Sequence, residues 1–124
     1  MILIDTDILI DYLRHDENAL DFLVKNKNEL AITRITIMEC IAGCRTKTER
    51  KSLEPVFEQF HCLDINSAIF DLAIGLMEDH FLSDGTGLLD CLIAASAVYF
   101  NTHLATRNIK HYKNIPGLAI DKPY

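Results

Sequence analysis

Three acidic side chains, Asp5, Glu39 and Asp90, together with Asn108, are the residues whose types and places could do chemistry. Asp5 ends the apolar run Ile2-Leu3-Ile4, and Asn108 follows a second apolar run at 103–106. In an open parallel sheet, ligands bind beyond the carboxyl ends of the strands, near the reversal of strand order. Glu39 and Asp90 lie near the starts of helices that can begin at that same edge. Topology can therefore bring four oxygen-bearing side chains together from distant parts of the chain. Two carboxylates about 4 Å apart repel by roughly 4 kcal/mol at an effective dielectric near 20. Three held together must take up extra protons or hold a cation. Hard oxygen donors without His or Cys companions favour Mg²⁺, with Mn²⁺ as an alternative. Such an ion can activate water and stabilise charge on a phosphodiester. The chemistry open to this constellation is phosphodiester hydrolysis.

Taken singly, each acid also has an ordinary role. Asp5 can cap the helix that follows it, Asp90 can cap a helix over Leu88–Tyr99, and Glu39 can be a surface helix residue. Asp90 is the hardest to dismiss, because an acid among Leu88, Leu89, Leu92 and Ile93 is expensive to bury without a partner.

The elements that must position these residues follow from hydrophobic periodicity. Strands are expected at Ile2–Ile4, Leu30–Thr33, 61–64, 103–106 and 117–120. Helices are expected at 7–14, from Asp16 as N-cap onward, at 36–44 ending near Gly43, at 46–60, at 66–81 and at Leu88–Tyr99. In the helix at 46–60, Thr48 is the expected cap, Leu53, Val56, Phe57 and Phe60 face inward, and Pro55 marks a kink or a helix start. Ile69, Leu72, Ala73, Leu76 and Met77 form the inward stripe of the next helix. Residues 83–87 form a turn cluster. Leu88–Tyr99 is apolar almost all round, as a helix buried between layers would be. Short strands alternating with helices predict a three-layer α/β/α sandwich around a short central parallel sheet.

Bulk properties narrow the partners. The 124 residues suit one domain, 1–124, and 49% apolar content supplies a core without staples. No apolar run approaches the ~20 residues of a membrane span, and the opening segment lacks the form of a signal peptide, so a cytoplasmic location is expected. The four cysteines show no CxxC pair, which favours buried thiols over zinc. A net charge of −6 means that any nucleic-acid contact comes through local patches or a bound cation. The candidate patches are 45–51, beginning at Arg45, and 107–113, beginning at Arg107; charge runs of this kind are more often solvated faces.

These segments, in order and with their spacing, resemble the PIN-domain family. Ile2 to Ile10 resembles its opening strand and acid, and Thr36 to Gly43 resembles its second acidic motif, a Glu with Gly four residues later. Leu89 to Ala97 resembles the third motif, and Leu104 to Tyr112 with Ile115 to Leu118 resembles the closing one. Size and final motif are most similar to the VapC-type toxins of bacterial toxin–antitoxin pairs. The resemblance implies a Mg²⁺-dependent endoribonuclease that cuts structured RNA such as transfer or ribosomal RNA. It implies a homodimer neutralised by a small antitoxin whose tail blocks the acidic site. It further implies Asp5, Glu39 and Asp90 as metal ligands, with Thr6 and Thr106 as supporting hydroxyls. Asn108 stands where the family has a fourth acid, which bears on a second metal. Asp7 replaces an Asn often found there, as an added acid at the rim or a helix cap.

Two other readings remain open on the residues. Asp5-Thr6-Asp7 after a strand mimics the Asp-x-Asp motif of haloacid-dehalogenase-like phosphatases, with Asp5 as nucleophile and Asp7 as acid/base. A non-catalytic docking module with the same fold is the other.

Overall fold

Consecutive residues of the short strands serve opposite cores, and that alternation sets the layering. The computed structural model describes residues 1–80 and 86–124. Its elements run β1 (Ile2–Ile4), α1 (Thr6–Leu13), α2 (Glu17–Lys25), β2 (Leu30–Thr33), α3 (Arg34–Ala42), α4 (Lys47–Phe57) and β3 (His61–Leu63). They continue with α5 (Ser67–His80), α6 (Leu88–Tyr99), β4 (His103–Ala105), α7 (Ile109–Tyr112) and β5 (Ile120–Asp121). Leu3, Ala31 and Leu104 face a cluster built with Ile93, Ala94 and Ala97 of α6. Their neighbours Ile4, Ile32 and Ala105 face the other way, onto Ile8 and Leu9 of α1, Leu23 of α2, Cys40 of α3 and Leu53 of α4. A sheet apolar on both faces must be covered on both, as parallel sheets are. The three-layer sandwich follows.

The five strands pair in the order β3-β2-β1-β4-β5, all parallel. Strand order reverses between β1 and β4, where Ile4 is in register with Ala105. The Asp5 N–H donates to the Ala105 carbonyl at 2.9 Å, carrying the pairing one step beyond the strand. Asp5 and Thr106 therefore leave the sheet side by side at the switch point.

Several boundaries differ from the sequence expectation for physical reasons. The cap of α4 is Thr46, whose hydroxyl accepts from the Glu49 N–H at 3.1 Å, and Thr48 lies inside the helix. Pro55 does not start that helix; it lies inside it, exposed in the last turn. Leu72 is exposed, because α5 packs on α6 through Ile69, Ala73, Leu76 and Met77. Strand β5 begins at Ile120, three residues later than the apolar run at 117–120 suggested. The four-residue α7 has no counterpart in the sequence expectation. Of the turn cluster at 83–87, residues 83–85 lie outside the described residues, as does Phe81 at the end of the helix expected at 66–81. Among the described residues no helix is long and apolar enough to cross a membrane. All four cysteines are free; Cys40 and Cys91 are buried, whereas Cys62 is exposed on the edge strand β3.

Candidate active site

Asp5 ends β1 and caps α1. Its Oδ1 accepts from the Thr6 N–H at 2.8 Å, the capping role expected of Asp at this place. Its Oδ2 accepts from the Thr106 hydroxyl, also at 2.8 Å, across the switch between β1 and β4. The side chain is 4% exposed. Burial first, then the charge of Asp7, and more weakly that of Asp90, push its pKa up to about 7 from the ordinary 3.8. The hydrogen bonds from Thr106 and Thr6 oppose that rise without cancelling it.

Glu39 arrives from α3 and reaches Asp5 only through Thr6. The Thr6 hydroxyl donates to Glu39 Oε1 at 2.7 Å and lies 3.0 Å from the Thr36 hydroxyl. A carboxylate can only accept, so the Thr6 proton goes to Glu39 and Thr36 donates to Thr6. Thr6 thus serves both acids, Asp5 with its N–H and Glu39 with its hydroxyl. Glu39 also lines a groove of about 300 Å³ between α1, α3 and α4, with Ile10, Leu13, Cys44 and Leu53 among its walls.

Asp90 sits in the first turn of α6, and its Oδ2 accepts from the Gly87 N–H at 3.2 Å. Its capping role is therefore real, yet it occupies only one oxygen. Oδ1 accepts from the Tyr112 hydroxyl at 3.1 Å, and His111 Nδ1 stands 3.4 Å from Oδ2. Tyr112 is fully buried, and burial followed by the charges of Asp5 and Asp90 holds its phenol well above the ordinary range. Tyr112 donates to Asp90 and stands in the field of Asp5.

The remaining predicted residues divide. Thr106 is fully buried between Asp5 and Asp7, and its Oγ1 accepts from the Asn108 N–H at 3.0 Å. Asn108 itself is exposed, and among the described residues its side chain makes no hydrogen bond to Asp5, Glu39 or Asp90. Asp7 Oδ2 accepts from the Arg107 N–H at 2.9 Å, which fastens α1 to the exit of β4. Burial is the main cause of a raised Asp7 pKa. The Arg107 side chain turns to Asp11, 2.8 Å away, and lies over the Tyr124 ring at 5.4 Å. Arg45 is exposed ahead of α4, with its N–H on Glu49; it stands apart from the acids.

Whether this set suits a divalent ion can be judged from its donors. Among the described residues, no three His, Cys, Asp or Glu side chains are gathered at ligating spacing. The charges of Asp5 and Asp90 both act on Tyr112, and Glu39 is held by the Thr6 hydroxyl. That arrangement fits Mg²⁺, which keeps several waters and uses one or two carboxylates rather than an all-protein cage. Burial is the largest cause of the raised Asp5 pKa, with the charges of Asp7 and Asp90 adding to it, and Asp7 Oδ1 is buried without a hydrogen-bond partner among the described residues. The residues fit the ion.

Sequence reasoning missed Tyr112, Thr36 and Asp11. Tyr112 was visible as a member of the closing motif at 104–112 and of the basic patch at 107–113, with no role of its own, and its inward direction is set by tertiary packing.

The family profile described as PIN domain matches residues 2–117. Ribonuclease VapC19 of Mycobacterium tuberculosis is 32% identical over 123 residues, covering 95% of this chain and 97% of the relative. Ribonuclease VapC10 of the same organism is 36% identical over 115 residues, covering 90% and 86%. Among solved structures, a toxin–antitoxin complex from Klebsiella pneumoniae matches with a TM-score of 0.85 at 29% identity, over 100% of this chain and 98% of that one. VapBC2 from Rickettsia felis, bound to a DNA fragment from its promoter, matches at 0.82 and 25%, over 98% of each chain.

Proposed function

The chain belongs to the PIN-domain family, among the VapC ribonucleases, and on that premise we propose that it is the Mg²⁺-dependent endoribonuclease toxin of a toxin–antitoxin pair. The observation that carries the metal requirement is the buried Asp5, hydrogen-bonded at both oxygens and close enough to Asp90 for that charge to raise its pKa. Asp5 and Asp90 would hold the ion, with Glu39 beside them through Thr6. When bound, Mg²⁺ supplies activation of water and neutralises charge on the scissile phosphate. The chain's own contribution is to hold the acids before substrate arrives. Thr106 and the Thr6 N–H fix both Asp5 oxygens, and the Thr36-Thr6-Glu39 relay fixes the third acid. Cleavage leaves a 5′ phosphate and a 3′ hydroxyl.

The substrate in this reading is structured RNA, such as transfer or ribosomal RNA. Arg107, Lys110 and Lys113 follow β4 at the site edge and supply positive charge that the chain as a whole lacks. The regulator is a small antitoxin, as the neighbouring toxin–antitoxin structures support; its tail would block the acidic site. A homodimer in the cytoplasm completes the proposal; the exposed Phe70 and Ile74, one turn apart on α5, support a self-association face. The phosphatase reading finds no support, because the matching family and relatives are a PIN domain and VapC ribonucleases.

The test is cleavage of RNA by Asp5→Asn and Asp90→Asn in Mg²⁺, beside titration calorimetry with Mn²⁺. Both variants should fold, lose cleavage and lose metal binding. Cleavage at the wild-type rate by either one overturns the assignment.

A further inference from the structure

We propose that Tyr112 is a positioning residue of the acidic site, its buried hydroxyl holding Asp90 so that this carboxylate faces a divalent cation beside Asp5. The inference rests on the metal-dependent reading above and assigns the residue that orients its ligands. Packing alone needs only a ring at this place. The ring lies in the core with Leu3, Ile93, Ala94, Leu104 and Ile115, and a phenylalanine would fill it. The hydroxyl is an added polar group in a fully buried position, and such a group is costly unless a partner takes its proton. That partner is Asp90 Oδ1 at 3.1 Å, and the charge of Asp5 acts on the same phenol.

The hydroxyl cannot drift, because α7 is fastened on both sides of it. The Thr86 hydroxyl donates to the His111 carbonyl at 2.6 Å, tying α7 to the segment that begins α6. The Ile115 N–H donates to the Tyr112 carbonyl at 3.1 Å. At the other end, the Gly87 N–H holds Asp90 Oδ2, so two donors from different elements fix the plane of one carboxylate. His111 Nδ1 is buried 3.4 Å from Asp90 Oδ2 without a hydrogen bond among the described residues, and is a poor replacement for the phenol. Groups that hold metal-binding carboxylates typically change metal affinity by about 10–100-fold when removed.

The experiment compares wild type, Tyr112→Phe and Asp90→Asn. Mn²⁺ affinity is measured by calorimetry, and RNA cleavage is followed as Mg²⁺ is raised. Tyr112→Phe should keep the native circular dichroism and bind Mn²⁺ about 10–100-fold more weakly. Its cleavage should recover towards wild type at high Mg²⁺, which a merely structural defect would not do. Equal Mn²⁺ affinity in wild type and Tyr112→Phe overturns the proposal while leaving the metal reading intact. No Asp90-dependent Mn²⁺ binding in wild type overturns the metal reading and the proposal together. If Tyr112→Phe fails to fold, the wild-type protein still decides the matter. The slowly exchanging Tyr112 hydroxyl proton should shift on saturation with Mg²⁺, and an unmoved resonance overturns the role.

Discussion

The hydroxyl of Thr106 donates to Asp5 Oδ2 at 2.8 Å, joining two residues that are 101 positions apart in the chain. The contact crosses the point where strand order reverses, so the same topology that splits the sheet also builds the site. Thr106→Val keeps the shape and removes the donor, leaving a buried carboxylate oxygen short of a partner. We expect a loss of about 1.5–3 kcal/mol in unfolding free energy at pH 8 with EDTA present. A urea midpoint within error of wild type would show that the bond contributes nothing.

Acidification should stabilise the metal-free protein. The folded Asp5 pKa is about 7, against an ordinary 3.8, so the folded state holds a proton that the unfolded chain has lost over that interval. The stabilising proton is fully present below about pH 4 and its contribution disappears as pH rises through 7. The raised Asp7 pKa acts with the same sign. Urea midpoints in EDTA should fall between pH 5 and pH 8, by a free energy on the order of 1–3 kcal/mol. Asp5→Asn should flatten most of that slope, and saturating Mg²⁺ should reverse it, because the ion binds deprotonated carboxylates. A slope identical in wild type and Asp5→Asn would remove Asp5 as its source.

Elements whose signals lie in local sequence were legible. Asp16 was readable as a cap because its spacing to the following apolar positions is local, and its Oδ1 does accept from the Ala19 N–H at 3.0 Å. Leu88–Tyr99 was readable because a helix pressed between layers has no polar side to hide. Leu72 was not, since α5 also exposes Phe70 and Ile74 and periodicity cannot choose among apolar faces. Nor was Tyr112, whose flanking Lys110 and Lys113 are exposed while its own ring is fully buried. The carboxylates were chosen from their strand and helix ends; how they are spaced, through Thr6 and Tyr112, depends on side-chain packing that no local pattern encodes.

The cap of α4 gives a simple check on one of those boundaries. Thr46 carries the capping hydroxyl, and Thr48 lies within the helix. Thr46→Ala should destabilise the protein by about 1 kcal/mol. Thr48→Ala should cost close to nothing, as exposed substitutions away from such features do. Thermal melts of the two variants side by side decide it, and the reverse order would return the cap to Thr48.

Glu39 should matter less to metal affinity than Asp5 or Asp90. It is linked to Asp5 by way of Thr6, whereas the charge of Asp90 acts on Asp5 directly. Glu39→Gln keeps an acceptor for the Thr6 hydroxyl, so the relay survives with one charge fewer. Mn²⁺ calorimetry should show a smaller loss for Glu39→Gln than for Asp5→Asn. An equal or larger loss would place Glu39 at the centre of the ion site.

Arg107 connects the site to its substrate only if its side chain can exchange partners. Its N–H is committed to Asp7, a contact that any residue other than proline can make, so Arg107→Ala leaves that fastening in place. The guanidinium instead pairs with Asp11, which also accepts from the Tyr124 hydroxyl at 2.9 Å. Half of the Arg107 side chain is solvent-exposed, and pairs at such surfaces are weak enough to be traded for a phosphate. Arg107→Ala should therefore weaken RNA binding and lower the salt dependence of affinity by about one unit of slope. Asp11→Asn, which frees the guanidinium, should move affinity the opposite way. Binding isotherms of inactive Asp5→Asn protein at several salt concentrations measure both effects. If neither substitution changes the slope, Arg107 belongs to the fold alone and RNA is held elsewhere.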